Sequence, residues 1–408
     1  MRVVVAAALL FARGAEAACA RFNWRPRALL CSIGCRLGVE RCSTFRIKAD
    51  AARCALPESG GQSVLWQLLA VGLLLALIVL ALRRRTPAEE LESQPPLPPP
   101  ISVPLWPGRA HPCMRVYLPP GPAPTKPCAA LVVFRGGGWH SCMSSGAGAA
   151  EWAARAGMIG VEVEYAAVIG AQPLKGPPAL DGSVLGPLPP DTGAYPQCLA
   201  DASRAVRRLR KLASDGELPL DPARIAVCGF SAGGHLAALL ATLHDSALVA
   251  TDEDDLWAAH SCRPDRVALC YAVTSLVRTD DPEKLSKAYT NLLGPSGCHD
   301  AQLKAQLSPA LHASTSTPPL FIWCTADDPL VPSAHSIDMY AAARSVGVQA
   351  ELHVYADAVR GGAHAQGLAE TNASLSGWSD QLLAWLGPDY ASQGASKRAG
   401  TALTAYSM

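Results

Sequence analysis

Ser231 sits in Gly229-Phe230-Ser231-Ala232-Gly233, a Gly-x-Ser-x-Gly pattern. An apolar, β-branched run, Ile225–Cys228, precedes it, and a helix-forming run from His235 to Leu243 follows. A serine on such a strand-to-helix turn is a nucleophile: the glycines let neighbouring backbone pass, and the helix N-terminus favours developing negative charge. Upstream, Phe134-Arg135-Gly136-Gly137-Gly138-Trp139 closes the run Ala129–Phe134. Glycines there let backbone N–H groups turn inward as oxyanion donors. Downstream, Thr325-Ala326-Asp327-Asp328-Pro329 follows Leu320–Cys324, so a carboxylate stands at a strand tip. Asp327 is taken as the orienting acid, and Asp328 is assigned to capping the turn or the next helix. His364 ends Arg360-Gly361-Gly362-Ala363-His364, after the run Glu351–Tyr355, and is the candidate base. Nucleophile, acid and base then serve acyl transfer through a covalent intermediate. Among the other histidines, His353 lies within a strand-like run and His235 opens the helix behind the serine, where a local hydrogen bond is expected. His140, beside the glycines, is left open. The acidic run Asp252–Asp255 reads as a solvated face.

The elements that must position these residues alternate. Strand-like runs are Ala129–Phe134, Met158–Tyr165, Ile225–Cys228, Val267–Tyr271, Leu320–Cys324 and Glu351–Tyr355. Helical spacing of apolar residues marks Gln197–Ala213, Gly234–Leu243, Ser333–Ser345 and Gly377–Leu386. Buried parallel strands alternating with helices predict a mostly parallel, doubly wound α/β sheet over residues 109–388. The Pro/Gly-rich stretch Val168–Gly193 interrupts the alternation and is long for a connection. Residues 389–408 read as a disordered tail.

Together these segments resemble the esterase/lipase branch of the α/β hydrolases that contains bacterial acetyl and feruloyl esterases, often labelled BD-FAE-like. The likeness runs from about Pro104 to Leu386. It rests on DPARIAVCGFSAGGHLAALLAT, the glycine run, Ser308–His312, PPLFIWCTADDPLVP and GVQAELHVY. The resemblance implies an α/β-hydrolase fold, a Ser231–Asp327–His364 triad, and an oxyanion hole from the N–H groups of Gly136, Gly137 and Ala232. It implies hydrolysis of carboxylic esters through an acyl-enzyme, with no metal or organic cofactor. The ester is a small molecule, or a lipid or sugar derivative. Other classes carried alongside are a serine peptidase or amidase of the same fold, a non-catalytic small-molecule binder, and an adaptor. The chain departs from the family pattern at Arg135, where His or Pro is usual, and at Ala365, where Gly is usual.

The formal net charge is +1, which argues against nucleic acid as main partner, since phosphate binding needs a basic face. No zinc-type spacing appears among the 14 cysteines. Cys228 and Cys324 lie in apolar runs, as small buried hydrophobes do. Residues 1–17 are compatible with a signal peptide, and 18–63 are rich in Cys and Arg. Val64–Leu82 is apolar but for Gln67, long enough to span a bilayer, and flanked by Trp66 and Arg83-Arg84-Arg85. A single-pass membrane protein is expected. The triple arginine places the following domain in the cytosol, and Arg46, Lys48 and Arg53 oppose that orientation. Residues 83–108 read as a Pro-rich linker, with PPLPPP at Pro95–Pro100 favouring polyproline II.

Overall fold

The computed structural model describes Gly72 and residues 96–391, apart from 107, 109–111, 143–145, 169–191, 250–256, 357–363, 370–371, 373 and 376. The signal-peptide, Cys/Arg-rich and membrane-span expectations lie outside the described residues, Gly72 aside. So do Asp252–Asp255, nearly all of Val168–Gly193, and the tail beyond 391. Among the described residues, no helix is long and apolar enough to cross a membrane.

Eight strands form one sheet in the order β1-β2-β4-β3-β5-β6-β7-β8. They are β1 (Ile101–Pro104), β2 (Cys113–Tyr117), β3 (Cys128–Phe134), β4 (Ile159–Val163), β5 (Leu220–Phe230), β6 (Arg266–Cys270), β7 (Leu320–Thr325) and β8 (Ala350–Tyr355). β2 runs antiparallel to β1 and β4, and every pairing from β4 through β8 is parallel. The helices that matter for the site are α1 (Ala149–Arg155), α2 (Gln197–Ser214), α3 (Ala232–Leu243), α4 (Glu283–Gly297), α5 (Ala301–Gln306), α6 (Ala334–Ser345) and α7 (Trp378–Leu386).

The strand residues are apolar on both faces because helices cover both. Along β3, Ala130, Val132 and Phe134 share a core with Leu199 and Leu209 of α2 and Leu236 and Leu240 of α3. The intervening Ala129, Leu131 and Val133 face Ala150 and Ala153 of α1 and Leu382 and Leu386 of α7. That side-to-side alternation is the two-residue strand period, and it makes three layers around the sheet. Strand order reverses at β3, between β4 and β5, and such a switch opens a crevice at the carboxyl ends of the strands.

Three boundaries differ from the sequence reading. The sheet begins at Ile101, inside the stretch assigned to a linker, and Leu97 of the proline segment is half-buried against the second core. β1 and β2 escaped notice because one is a four-residue edge strand ending in Pro104 and the other carries Arg115 in its centre. At the other end, Tyr390 and Ala391, assigned to the tail, are buried. α4 was hidden by Gly294-Pro295, where the helix breaks with φ 74° at the glycine.

Candidate active site

Ser231 occupies the N-cap of α3 with φ 54° and ψ −117°, outside the regions ordinary residues prefer. Close packing holds it there. A Cβ on Gly229 would collide with the Gly233 carbonyl, and one on Gly233 with the carbonyls of Phe134 and Arg135. The two glycines of the pattern therefore let α3 lie directly against β5 and the end of β3. The Ser231 N–H donates to Cys270 O at 3.0 Å, tying the turn to β6. The Ala232 N–H is in the first turn of α3, where amides have no intrahelical acceptor and the helix end is electropositive.

His364 lies between serine and carboxylate. Its Nε2 is 2.9 Å from Ser231 Oγ, and its Nδ1 is 2.7 Å from a carboxylate oxygen of Asp328. A carboxylate only accepts, so Nδ1 carries the proton and Nε2 is left to accept from the serine hydroxyl. Tyr271 lies edge-on to the imidazole, with ring centres 4.9 Å apart, and its hydroxyl accepts the Gly367 N–H at 2.9 Å. Trp378 Nε1 donates to Gly367 O at 3.1 Å, so the segment after His364 is pinned from two elements. Ala365 takes φ 62°, which explains why glycine is usual at that position.

The carboxylate at His364 belongs to Asp328, a correction to the choice of Asp327. After β7 ends at Thr325 the turn leaves Asp327 exposed and Asp328 buried. Asp328 also performs the capping assigned to it: Oδ1 accepts the N–H groups of Leu330 and Val331 at 2.9 and 3.0 Å, and Oδ2 faces His364. One carboxylate does both, because its two oxygens point to different partners.

The glycine run lies beside the elbow, with Gly136 buried and Gly137 and Gly138 half-buried. Gly137, Gly138 and Trp139 take φ values of 149°, 61° and 57°. The donors anticipated there are thus at the tip of β3, next to the turn that carries Ser231.

His235 and His335 are held in the core by hydrogen bonds, and His353 and His140 lie elsewhere. His235 Nε2 bonds Leu307 O at 2.8 Å, a long-range partner instead of the local one expected. Burial lowers its pKa to about 4, so it is neutral in the core. His353 packs on the Phe321 ring, and His140 is exposed. A second aspartate–histidine pair, Asp281 with His335 at 2.9 Å, is fully buried. There the Thr274 N–H donates to Nδ1 of His335 at 3.1 Å, so both ring nitrogens are committed and neither is free for proton transfer. Arg135 is also inward-facing, paired with Glu162 at 3.0 Å; burial raises the Glu162 pKa and the guanidinium opposes that. Cys228 and Cys324 are buried, as expected of them. Among the described residues, no cluster of His, Cys, Asp and Glu could hold a metal ion.

The family described as BD-FAE matches residues 190–342, which include Ser231 and Asp328. The chain is similar to an endo-1,4-beta-xylanase B of Butyrivibrio fibrisolvens, 35% identical over 142 residues, or 35% of this chain and 21% of that protein. It is also similar to an acetylxylan esterase of Xylanibacter ruminicola, 31% identical over 140 residues, or 33% of this chain and 25% of that protein. The chain thus spans a quarter or less of the length of these two relatives. Among solved structures, an acetyl ester-xyloside bifunctional hydrolase from Caldicellulosiruptor lactoaceticus superposes with a TM-score of 0.56 at 29% identity, covering 71% of this chain and 96% of that one.

Proposed function

We propose, for a chain that belongs to an α/β-hydrolase esterase family, that it hydrolyses carboxylic esters through a Ser231–His364–Asp328 triad. The observation that carries the reading is the simultaneous reach of one imidazole to Ser231 Oγ at 2.9 Å and to Asp328 at 2.7 Å. Ser231 attacks the ester carbonyl as His364 Nε2 takes its proton. The protonated imidazole is stabilised by Asp328 and returns the proton to the leaving alcohol. A water then attacks the acyl-serine by the same route, with His364 as base, and frees the acid. The N–H of Ala232 and those of the glycine run, Gly136 and Gly137, stabilise the oxyanion formed in each step. An acetyl ester of a carbohydrate is the favoured substrate, on the strength of the names the relatives carry.

Ester hydrolysis by wild-type protein and Ser231→Ala, over acyl chains of increasing length, tests this. Activity in the variant is expected to fall to background at an unchanged melting temperature, with acetyl esters the best wild-type substrates. A folded Ser231→Ala protein that hydrolyses at the wild-type rate would end the proposal.

A membrane tether through Val64–Leu82 is proposed on its length and apolarity. Release of the full chain from membranes by carbonate washing would contradict it.

A further inference from the structure

The loop after β3 has an unusual backbone. Gly137, Gly138 and Trp139 all have positive φ, and Trp139 is a bulky residue, 1% exposed, with φ 57°. A left-handed backbone is disfavoured for a non-glycine residue, so contacts from outside the loop must hold it there. The carbonyls show where those contacts come from. Arg135 O accepts from the Tyr165 hydroxyl. Gly137 O accepts from His140 and Ser141 N–H at 3.1 and 3.3 Å, and Trp139 O from Val168 N–H at 3.0 Å. Gly138 O accepts from Asn291 Nδ2 at 3.0 Å, across 153 residues of sequence.

A trans peptide is planar, so anchoring a carbonyl also fixes the direction of the N–H that follows it. The bonds to Arg135 O, Gly137 O and Gly138 O therefore set the N–H groups of Gly136, Gly138 and Trp139. Asn291 is well placed to act as an anchor. It lies in α4 just before the helix breaks at Gly294. The carbonyls of Asn291 and Leu292 accept the N–H groups of Ala194 and Tyr195, each at 2.8 Å. The Asn291 backbone is thus held from the approach to α2, while its half-buried side chain reaches the loop.

We propose that Asn291 is a positioning residue for the oxyanion loop, acting through the Gly138 carbonyl, with Tyr165 as a second anchor at Arg135. This rests on the esterase reading. Asn291 does not touch the reacting atoms; by holding the Gly138 carbonyl it fixes the Gly138–Trp139 peptide and so the far end of the loop, which keeps the path of the preceding Gly136 and Gly137 backbone set before charge develops. The bond is one polar contact from a half-buried side chain, so its loss is expected to be felt in turnover more than in folding.

The test uses the full chain and compares wild type with Asn291→Ala and Asn291→Asp. The aspartate keeps the shape but lacks the donor, and sets its oxygen against the Gly138 carbonyl. For each, kcat, KM and melting temperature are measured, with the Ki of a trifluoromethyl ketone whose serine adduct carries the oxyanion. The expected loss in kcat is about ten- to a hundred-fold, less than the ~10²–10³ that follows removal of an oxyanion donor itself. Ki should rise by the same factor. KM, the midpoint of the pH–rate profile and the melting temperature should stay near wild type. Unchanged kcat and Ki in both variants would overturn the proposal, as would losses that merely follow the folded fraction. A wild-type chain that hydrolyses no acyl ester would instead overturn the esterase reading, and this inference with it.

Discussion

At the scale of single residues, the adjacent carboxylates at 327 and 328 have opposite settings. Asp328 is buried, accepts two backbone N–H groups through Oδ1 and faces His364 through Oδ2, while Asp327 is exposed. In the proposed mechanism, Asp328→Asn would remove the charge that stabilises the imidazolium and present an amide where Nδ1–H needs an acceptor. Turnover is expected to fall by about three to four orders of magnitude, with a further loss of stability where the turn was capped. Asp327→Asn should leave kcat within about a factor of two, since the substitution is confined to an exposed side chain. Steady-state kinetics on the two purified variants decides it, and the reverse ranking would return the role to Asp327. Burial likewise separates the histidines: His364 keeps 12% of its side chain exposed beside the serine, whereas His235 and His335 are sealed in the core.

At the scale of elements, the site depends on how closely α3 approaches the end of β3. Gly233 is the contact point, because any side chain there meets the backbone carbonyls of Phe134 and Arg135, which cannot turn aside. Gly233→Ala must push α3 outward or distort β3. Loss of about 3 kcal/mol or more is expected from this overpacking, together with activity, since the same shift moves Ser231 away from the glycine loop. Urea unfolding followed by circular dichroism would show it, and an unchanged midpoint would mean that α3 has slack the structure does not show. The elbow itself was legible from sequence, because a strand, two glycines and a helix leave one local arrangement. The elements that were not legible are irregular or short. β2 mixes Arg115 with apolar residues, and α4 passes through Gly294-Pro295.

At the scale of the molecule, the α/β domain begins earlier than its sequence pattern suggests. β1 pairs with β2 along its whole length, Leu105 is fully buried, and Trp106 Nε1 donates to Asp201 at 2.7 Å. The Arg204 guanidinium is stacked between the Trp106 and Trp257 rings, 4.2 Å from each centre. A fragment starting at residue 109 lacks Val103, Leu105 and Trp106 and should be less stable than one starting at 92 by more than about 3 kcal/mol. Comparative urea denaturation of the two fragments measures this, and equal midpoints would restore the linker reading of residues 101–108.

Local sequence was sufficient wherever the chemistry needs a particular backbone. Gly-x-Ser-x-Gly, the glycine run, the acidic turn and His364 could each be found because strand ends and tight turns demand recognisable residues in a short window. The parallel α/β sheet followed from the alternation of apolar runs. What required the tertiary structure was every choice between neighbours and every partner far along the chain. Asp327 and Asp328 differ by one position, and only the path of the turn after β7 decides which is buried against His364. Leu307 as partner of His235, and Asn291 as partner of Gly138, are 72 and 153 residues away. Such hydrogen bonds depend on where two elements meet in space, and neither residue carries a local pattern that announces the meeting.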